Sequence, residues 1–335
     1  MAQQALGTVM AAVMHIIGNP ALGIMVRHRV ADLVGEASLP ADEIAARTGL
    51  HPLALTRTLR FLAGLGIFWE VEPGRFMNTP ASNLLRDRPG GLRNYVFTLT
   101  SEAHIGAFAN LAHGIRSGES PFAQVNRATY WEYLNARPEE NRAFDAMFAE
   151  LRGGEHEAIA NAFDWSNVGT VVDVGGGSGS LLATILEKEP HLGGVLLDQP
   201  EVLLSAESHL QNRGVRARCK LVGGSFFAPI EVSGDVWVLS QILHDWSDTE
   251  CLPILANCRS AMRPKDELVV AEMLTIPGQA DPVISGVDMV MMTLFGNARQ
   301  RTEAEYRELF AASGFRFGRV IPTNSAFSLI QAQPA

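Results

Sequence analysis

A histidine and a glutamate follow two apolar runs that have the pattern of neighbouring strands in a parallel sheet. His244 lies in LSQILHDWSD, residues 239–248, and Glu272 lies in VVAEML at the end of the next run. Ligands of open α/β sheets bind outside the carboxyl ends of the strands, where a histidine, titrating near neutrality, can take a proton from a phenol. Adjacent strands stand about 4.8 Å apart, so the carboxylate could orient the imidazole. The pair predicts a general base with an orienting acid, while either residue alone would also suit a structural role.

A glycine-rich turn joins a β-branched run to an apolar helical pattern in VVDVGGGSGSLLATIL, residues 171–186. Its glycines permit positive φ, and the helix that follows offers free N–H donors to a ligand. The spacing is GxGxG, and Ser180 stands where a dinucleotide fingerprint has its last glycine. Asp173, two residues before the first glycine, could accept from an ammonium group. The turn therefore favours a sulfonium donor with an amino group over a nicotinamide dinucleotide.

Two further positions extend this predicted cofactor site. Asp198 ends the second strand in VLLDQP, where a carboxylate can accept from both hydroxyls of a ribose. Phe226 follows the third strand, and its ring could support an adenine or pack in the core. Asp173 and Asp198 could instead cap helices, so the residues alone leave both interpretations open.

The elements that must position these residues follow Trp165, where short apolar runs alternate with helical patterns. This alternation is typical of a parallel sheet covered by helices on both faces. The sequence predicts a catalytic domain over residues 166–335 with strands at 170–174, 194–197, 220–223, 235–239 and 267–272, and a final pair near 316–320 and 326–331. We expect a helical bridge over residues 91–165, with a break at 118–121.

The N-terminal part, residues 1–90, has a different pattern. From Met25 to about Arg86 it predicts helices followed by two short strands with their turn at Pro73-Gly74, which is typical of a winged helix. Such a module could bind DNA through the helix that carries Arg57 and Arg60. A net charge of −9 provides little basic surface for phosphates, so we expect a dimerisation and lid module and no nucleic-acid partner.

The apolar run from Leu6 to Val26 raises the question of a membrane span. No basic residue precedes it, and His15 and Gly18-Asn19-Pro20 interrupt it before the roughly 20 residues that a span requires. We expect a buried or partner-facing helix and no membrane partner. The chain has 47% hydrophobic and 19% charged residues and three scattered cysteines, a composition that favours a globular protein of the reducing cytoplasm.

Five stretches together resemble the caffeic acid and hydroxyindole type of O-methyltransferase, including its bacterial natural-product members, and the likeness spans nearly the whole chain. They are VVDVGGGSG, VLLDQP, ILHDWSD, VVAEML and RTEAEYRELFAASGF. The resemblance implies an α/β class I Rossmann-like methyltransferase sheet with an N-terminal winged-helix dimerisation domain, S-adenosylmethionine as donor, S-adenosylhomocysteine as product, a homodimer and no metal. By position it assigns the base to His244, its acid to Glu272, the ribose acid to Asp198, and the glycine motif to Gly175 and Gly177.

Three positions depart from the pattern that the resemblance implies. Ser240 stands where many plant members have a lysine, and Ser225 stands where they have an acid on the adenine side, so these cofactor contacts differ in kind. Gln300 aligns with a second glutamate beside the base. A neutral amide supplies no charge, so the imidazolium is expected to rest on Glu272 alone. Asp245 could point away from His244 and cap a helix or bind ligand.

The acceptor pocket is expected along DMVMMTLF, residues 288–295, which begins at Asp288. Methionines give a soft apolar surface suited to flat rings, and we expect Met291 and Phe295 to face the substrate. By resemblance, three residues of the bridge either close over the methyl donor or pack within the bridge: Trp131, Phe144 and Met147. The implied reaction is in-line methyl transfer to a hydroxyl of a small aromatic molecule. The alternative is a relative that binds the same cofactor but decarboxylates or hydroxylates.

Overall fold

The structure, a computed structural model, describes residues 2–151 and 153–335. These residues pack as two compact units. The first comprises residues 2–109 and 131–151, and the second comprises residues 110–130 and 153–335. The expected bridge, residues 91–165, is therefore shared between the two units.

The elements are numbered in chain order. The helices are α1 Ala2–Arg27, α2 Val30–Val34, α3 Ala41–Thr48, α4 Pro52–Gly64, α5 Pro80–Asn83, α6 Arg93–Leu99, α7 Glu102–Ala109, α8 Leu111–Ser117, α9 Pro121–Asn126, α10 Tyr130–Asn135, α11 Pro138–Leu151, α12 Gly153–Ala162, α13 Ser180–Lys188, α14 Pro200–Asn212, α15 Asp248–Ala261, α16 Pro282–Phe295 and α17 Glu303–Ala312. The strands are β1 Ser38–Pro40, β2 Phe68–Glu72, β3 Arg75–Asn78, β4 Thr170–Val174, β5 Gly193–Asp198, β6 Cys219–Gly223, β7 Val236–Ser240, β8 Glu267–Met273, β9 Phe315–Pro322 and β10 Phe327–Pro334. Two 3₁₀ turns occur at Arg216–Arg218 and Leu243–Asp245.

The first unit contains the winged helix that the sequence predicts. Helices α2 to α4 pack beside a small antiparallel sheet of order β1-β3-β2. The β2–β3 turn falls at the expected glycine, because Gly74 adopts a φ of 75°. Helix α4 buries Leu55, Leu59 and Leu62, which recur at helical spacing, against Phe76 of the sheet.

Helix α1 continues through Pro20, so the expected interruption of the apolar run is wrong. Proline removes one N–H and leaves one carbonyl four residues earlier without its helical partner, a loss that can kink a helix without ending it. By length and composition alone, the stretch Gln3–Arg27 is able to cross a membrane. Its C-terminal part is buried at Met25 and Val26, while earlier turns expose apolar side chains at Leu6, Val9, Met10, Val13, Ile16 and Ile17.

The second unit is built on a seven-stranded sheet of order β6-β5-β4-β7-β8-β10-β9. Strands β4 to β8 are parallel, and β10 pairs antiparallel with both β8 and β9. Each predicted strand is present, with ends shifted by a few residues. The chain order reverses between β4 and β7, so the crevice at the carboxyl ends of these strands is the topological switch point where ligands bind.

Both faces of this sheet are covered, which explains why its strands are continuous apolar runs. Successive residues of β4 point to opposite faces. Val171 packs on the side of α12, α13 and α14, and Val172 packs on the side of α15 and α17. The strand ends are thereby fixed between two buried cores, which is the rigid support that a site at the carboxyl edge requires.

Candidate active site

The 3₁₀ turn after β7 places His244 directly beside Glu272 of β8. His244 is 6% exposed and Glu272 is fully buried. The imidazole Nδ1 lies 2.9 Å from Oε2 of Glu272, and the backbone N–H of His244 donates to Oε1 at 3.3 Å. One carboxylate therefore binds both the ring and the backbone of the same histidine. The 2.9 Å contact is an ion-pair distance, and Oε2 accepts no directed hydrogen bond from the described residues. A proton held on Nδ1 beside this carboxylate would leave the lone pair of Nε2 as the proton acceptor.

Asp245 lies beside His244 and does not point away from it. Its Oδ1 lies 3.3 Å from Nε2 of His244, because the tight turn brings these consecutive side chains to the same side. An imidazolium formed at His244 would thus have a carboxylate near each nitrogen. The expectation that Glu272 alone balances this charge is corrected. Adjacency in the sequence was the available signal, but side-chain direction in an irregular turn follows no periodicity.

Gln300 also contacts the base. Its side-chain amide nitrogen lies 2.8 Å from Nδ1 of His244, and its backbone N–H donates to Oδ1 of Asp288 at 2.7 Å. Nδ1 can donate to Glu272 or accept from Gln300, but one nitrogen cannot do both at once. In the neutral ring the directed hydrogen bond at Nδ1 is the one with Gln300, because Oε2 of Glu272 accepts none from the described residues. In the imidazolium Nδ1 carries a proton, and the contact with the carboxylate is then favoured, since hydrogen bonds to ionised groups are about twice as strong as neutral ones. Gln300 and Glu272 therefore both lie against Nδ1, while Asp245 lies near Nε2.

The glycine turn encloses a carboxylate that has no hydrogen-bond partner within the described residues. Both oxygens of Asp173 are buried and unpaired. Burial, with a smaller contribution from the charge of Asp198, raises the pKa of Asp173 to about 7. Gly175, Gly177 and Gly179 all adopt positive φ, as the sequence predicts. A buried carboxylate without a partner fits a cationic ligand such as the ammonium group of an amino acid.

Asp198 is joined to the same turn. Its Oδ2 accepts the backbone N–H of Gly177 at 2.8 Å, and its Oδ1 accepts the N–H of Gln199 at 2.7 Å. Burial raises the pKa of Asp198, while these two N–H groups act in the opposite direction. Each carboxylate oxygen keeps a second lone pair, so the pair of oxygens can still receive two ribose hydroxyls.

The remaining predicted cofactor positions lie at the same sheet edge. Phe226 is half-buried, with the tilted ring of Phe227 and the nearly perpendicular ring of Trp246 at centroid distances of 5.0 and 6.0 Å. Ser225 accepts the backbone N–H of Phe227, so its hydroxyl already serves the local turn. Ser240 is the last residue of β7. The structure brings these residues to the strand ends, and their contacts with a cofactor stay predictions.

Helix α16 carries the predicted acceptor wall. Met291 is buried, and Phe295, one turn later, packs edge-on against Tyr130 at 5.6 Å. Asp288 is used to hold Gln300, as described above, and is thereby linked to the base. The structure therefore connects the middle of this helix to His244 through Gln300, while the orientation of Met291 and Phe295 towards a substrate stays a prediction.

The three predicted residues of the bridge belong to the first unit. The rings of Trp131 and Phe144 pack perpendicular to each other at 5.8 Å, and Met147 is buried. These contacts agree with packing inside the bridge, which was one of the two expected roles. Their closure over a methyl donor stays a prediction.

In the part of the chain that the structure describes, no group of three or more His, Cys, Asp or Glu side chains is arranged to hold an ion.

Comparison with known proteins follows the same division of the chain. The O-methyltransferase dimerisation domain matches residues 13–88, and the O-methyltransferase domain matches residues 108–316. Phenazine O-methyltransferase PhzM of Lysobacter antibioticus is 39% identical, over 91% of this chain and 89% of that protein. Aclacinomycin 10-hydroxylase RdmB of Streptomyces purpurascens is 34% identical, over 81% of this chain and 74% of that protein.

A solved structure gives the same result. NcsB1, an O-methyltransferase from neocarzinostatin biosynthesis in complex with S-adenosylmethionine and 2-hydroxy-5-methyl naphthoic acid, has a TM-score of 0.86 and 31% identity, covering 95% of this chain and 96% of that one. The sheet, the glycine turn and the dimerisation domain agree with these matches. The chain belongs to the S-adenosylmethionine-dependent O-methyltransferases, in a branch whose bacterial relatives modify small aromatic natural products.

Proposed function

We propose that this enzyme methylates a hydroxyl of a small aromatic molecule, with His244 as the general base. The observation that carries the proposal is the pairing of the His244 ring with the buried carboxylate of Glu272 at 2.9 Å. We propose that this pairing holds a proton on Nδ1. It leaves Nε2 at the sheet edge where the glycine turn and Asp198 also lie.

S-Adenosylmethionine, when bound, supplies a methyl group on a positively charged sulfur that leaves as a neutral thioether. His244 Nε2 accepts the phenolic proton as the acceptor oxygen forms its bond to the methyl carbon. Glu272 and Asp245 stabilise the positive charge that this proton brings to the ring. Holding the two reactants in near-attack geometry supplies the larger share of the rate, roughly 7 to 11 kcal/mol, and a base adds about 10²- to 10⁴-fold.

The proposed cofactor contacts use the turn and the two acids. Asp173 receives the ammonium group, Asp198 receives the ribose hydroxyls, and the backbone at Gly175 and Gly177 approaches the ligand closely. Phe226 supports the adenine. Ser225 and Ser240 provide neutral hydroxyls where plant members place charged groups, and the scheme uses no metal.

For the acceptor we propose a flat, hydroxyl-bearing ring system. The relatives named above act on, or are crystallised with, a phenazine and a naphthoic acid. The wall formed by Met291 and Phe295 of α16 supports this class, since both side chains are apolar and Met291 adapts to flat rings. Three residues of the bridge stay candidate substrate contacts on the resemblance alone: Trp131, Phe144 and Met147.

The setting of the reaction is proposed as well. The three cysteines are buried thiols and free, which suits a reducing cytoplasm. The dimerisation domain supports a homodimer, and we expect neither nucleic acid nor a membrane as partner.

One relative favours a second candidate function. RdmB is named as a hydroxylase, so the same framework could bind the cofactor without transferring its methyl group. The intact pairing of His244 with Glu272 supports methyl transfer instead, because a deprotonating base serves attack by a hydroxyl.

The test is incubation of the purified protein with methyl-labelled S-adenosylmethionine and a panel of phenols, phenazines and polycyclic quinones. We expect label in an aromatic ether and a loss of about 10²- to 10⁴-fold in kcat for His244→Ala. His28→Ala, at an exposed histidine of the first unit, is the control. Cofactor binding together with an oxidised or decarboxylated product that carries no label would favour the hydroxylase-like alternative. Near-normal turnover by His244→Ala would remove the role given to the base.

A further inference from the structure

A fully buried arginine binds the backbone on both sides of His244. Arg301 follows Gln300 in the chain and is 0% exposed. Its Nη1 donates to the carbonyl of Leu243 at 2.6 Å, and its Nη2 donates to the carbonyl of Trp246 at 2.7 Å. One guanidinium therefore spans the two ends of the turn that carries the base.

The same guanidinium has a charged partner at the start of α15. Nε and Nη2 of Arg301 lie 2.9 and 2.8 Å from Oδ1 of Asp248. Asp248 is the first residue of this helix, and a capping box between Ser247 and Glu250 fixes the helix start. A buried charge needs such pairing to offset its lost hydration. The end of the turn is thus tied to a rigid helix through Arg301.

The segment that carries Arg301 also reaches the ring of the base and the strand behind it. Gln300 contacts Nδ1 of His244, and the carbonyl of Arg301 accepts the N–H of Thr275 shortly after β8. The thiol of Cys251 approaches the carbonyls of Leu243 and Trp246 at 3.4 and 3.7 Å, but a thiol is a weak donor. Arg301 is therefore the strong donor to both carbonyls.

We infer that Arg301 is a positioning residue for methyl transfer: by holding the carbonyls of Leu243 and Trp246, it fixes the direction of the His244 Nε2 lone pair towards the acceptor hydroxyl. The role rests on the proposed function of His244 as base. A planar guanidinium donates in two fixed directions at once, which the single ammonium of a lysine does not reproduce. The other bonds of the turn are the N–H of His244 to Glu272 and two local backbone bonds, at 3.1 to 3.3 Å, so the two shorter bonds from Arg301 are the ones that tie both of its ends to a distant segment.

The first variant to test is Arg301→Lys, which keeps the positive charge but loses the planar guanidinium that donates to both carbonyls. We expect kcat to fall about 10- to 100-fold, because a displacement of about 1 Å at a reacting group costs rates of this order. Binding of S-adenosylmethionine, measured by calorimetry, and the KM for the acceptor should stay as in the parent enzyme. A kcat equal to that of the parent enzyme would overturn the inference.

A second readout separates positioning of the base from general support of the fold. A nitro-substituted analogue of the phenol that the enzyme accepts is already ionised at the assay pH, so its methylation needs no base. With this acceptor the loss caused by Arg301→Lys should largely disappear, as should the loss caused by His244→Ala. An equal loss with both acceptors would show a structural role and overturn the inference.

Two further variants guard the test. Arg299→Gln removes a neighbouring arginine that also pairs with Asp248, at 2.8 Å, without donating to either carbonyl, and we expect parental kcat. If Arg301→Lys does not fold, Asp248→Ala, at a half-exposed position, removes the anchor instead and should lower kcat selectively for the un-ionised phenol. An unchanged kcat in Asp248→Ala would then overturn the inference. The proposed function is tested separately by label transfer in the parent enzyme.

Discussion

Glu272 contacts both the backbone and the ring of His244, whereas Gln300 contacts the ring alone. The two residues should therefore differ in how much their replacement lowers kcat. The carboxylate accepts from the backbone N–H and lies against Nδ1, while the amide contacts Nδ1 alone. Hydrogen bonds to charged groups contribute about 1.5 to 3 kcal/mol and neutral ones about 1 kcal/mol. We therefore expect Glu272→Gln to lower kcat about 10- to 100-fold and Gln300→Ala about fivefold. Single-turnover rates check this order, and equal losses would contradict it.

The carboxyl of Asp173 should make cofactor binding depend on pH. Its pKa is raised from 3.8 to about 7, chiefly by burial. Only the ionised form attracts an ammonium group, so affinity for S-adenosylmethionine should rise between about pH 6 and about pH 8. Calorimetric titration at both pH values measures this change. Asp173→Asn should bind weakly at both, and a parent affinity that is the same at both would remove the proposed contact.

The same residue should oppose folding in the absence of ligand. In the unfolded chain Asp173 ionises near its ordinary value of 3.8, whereas in the folded protein it stays neutral up to about pH 7. A raised acid pKa therefore costs stability progressively as pH rises through this window. Ligand-free Asp173→Asn should melt at a higher temperature than the parent at neutral pH, with the difference vanishing near pH 4. A difference that does not change with pH would contradict the assignment.

At this scale the sequence predicts contacts that follow from regular elements. The approach of Glu272 to His244 required only two adjacent strands ending at one edge. The contacts of Asp245 and Arg301 could not be predicted from the sequence. An irregular turn sets the direction of Asp245, and Arg301 is buried only because a distant segment packs against this turn. Gln300 lay between these cases: resemblance gave its place, but its hydrogen bond to Asp288 depends on how α16 packs.

At the scale of elements, the parallel strands were predictable because burial on both faces requires continuous runs of Val and Leu. Helix α1 was predicted less well. Gly18 and Pro20 predict an interruption, yet α1 continues past both residues to Arg27. The prediction was wrong because it relied on the low helix propensity of single residues, and a long helix can form despite them when its other turns are intact.

Gly175 and Gly177 of the cofactor turn can be compared with Gly214, which follows α14, because all three adopt positive φ. A Cβ on Gly175 would lie 2.7 Å from Ile242 Cδ1 and 3.2 Å from Phe226 Cε1, whereas Cβ atoms on Gly177 or Gly214 would meet nothing within 4 Å. A left-handed alanine costs about 1 to 2 kcal/mol, and overpacking adds about 1 to 3 kcal/mol. We expect Gly175→Ala to lower the free energy of unfolding the most, through both strain and overpacking. Gly214→Ala should lower it only by the cost of the backbone strain.

Gly177→Ala should match Gly214→Ala in stability but bind S-adenosylmethionine less tightly, because its Cβ would occupy the space left for the ligand. Denaturant unfolding and calorimetry measure the two effects separately. Equal cofactor affinity in Gly177→Ala and Gly214→Ala would show that the ligand does not approach this glycine.

At the scale of the whole molecule, the apolar surface of α1 requires an explanation. Ile16 and Val13 are 76% and 52% exposed, and such side chains recur along the helix from Leu6 to Ile17. Contiguous exposed apolar surface of this kind marks an interaction site. The dimerisation domain begins at residue 13, so the second copy of the chain is the partner that the match supports.

A charge placed on this surface should separate the copies. Burying an isoleucine contributes about 2 kcal/mol, and a twofold interface counts it twice, so Ile16→Asp should weaken dimerisation about a thousandfold. Light scattering at micromolar concentration should then report a monomer. Leu204→Asp is the matched control, because Leu204 is a 77% exposed apolar residue on α14 of the second unit, and this variant should remain a dimer. If Ile16→Asp keeps the parental mass while losing affinity for lipid vesicles, α1 meets a membrane instead of a second copy.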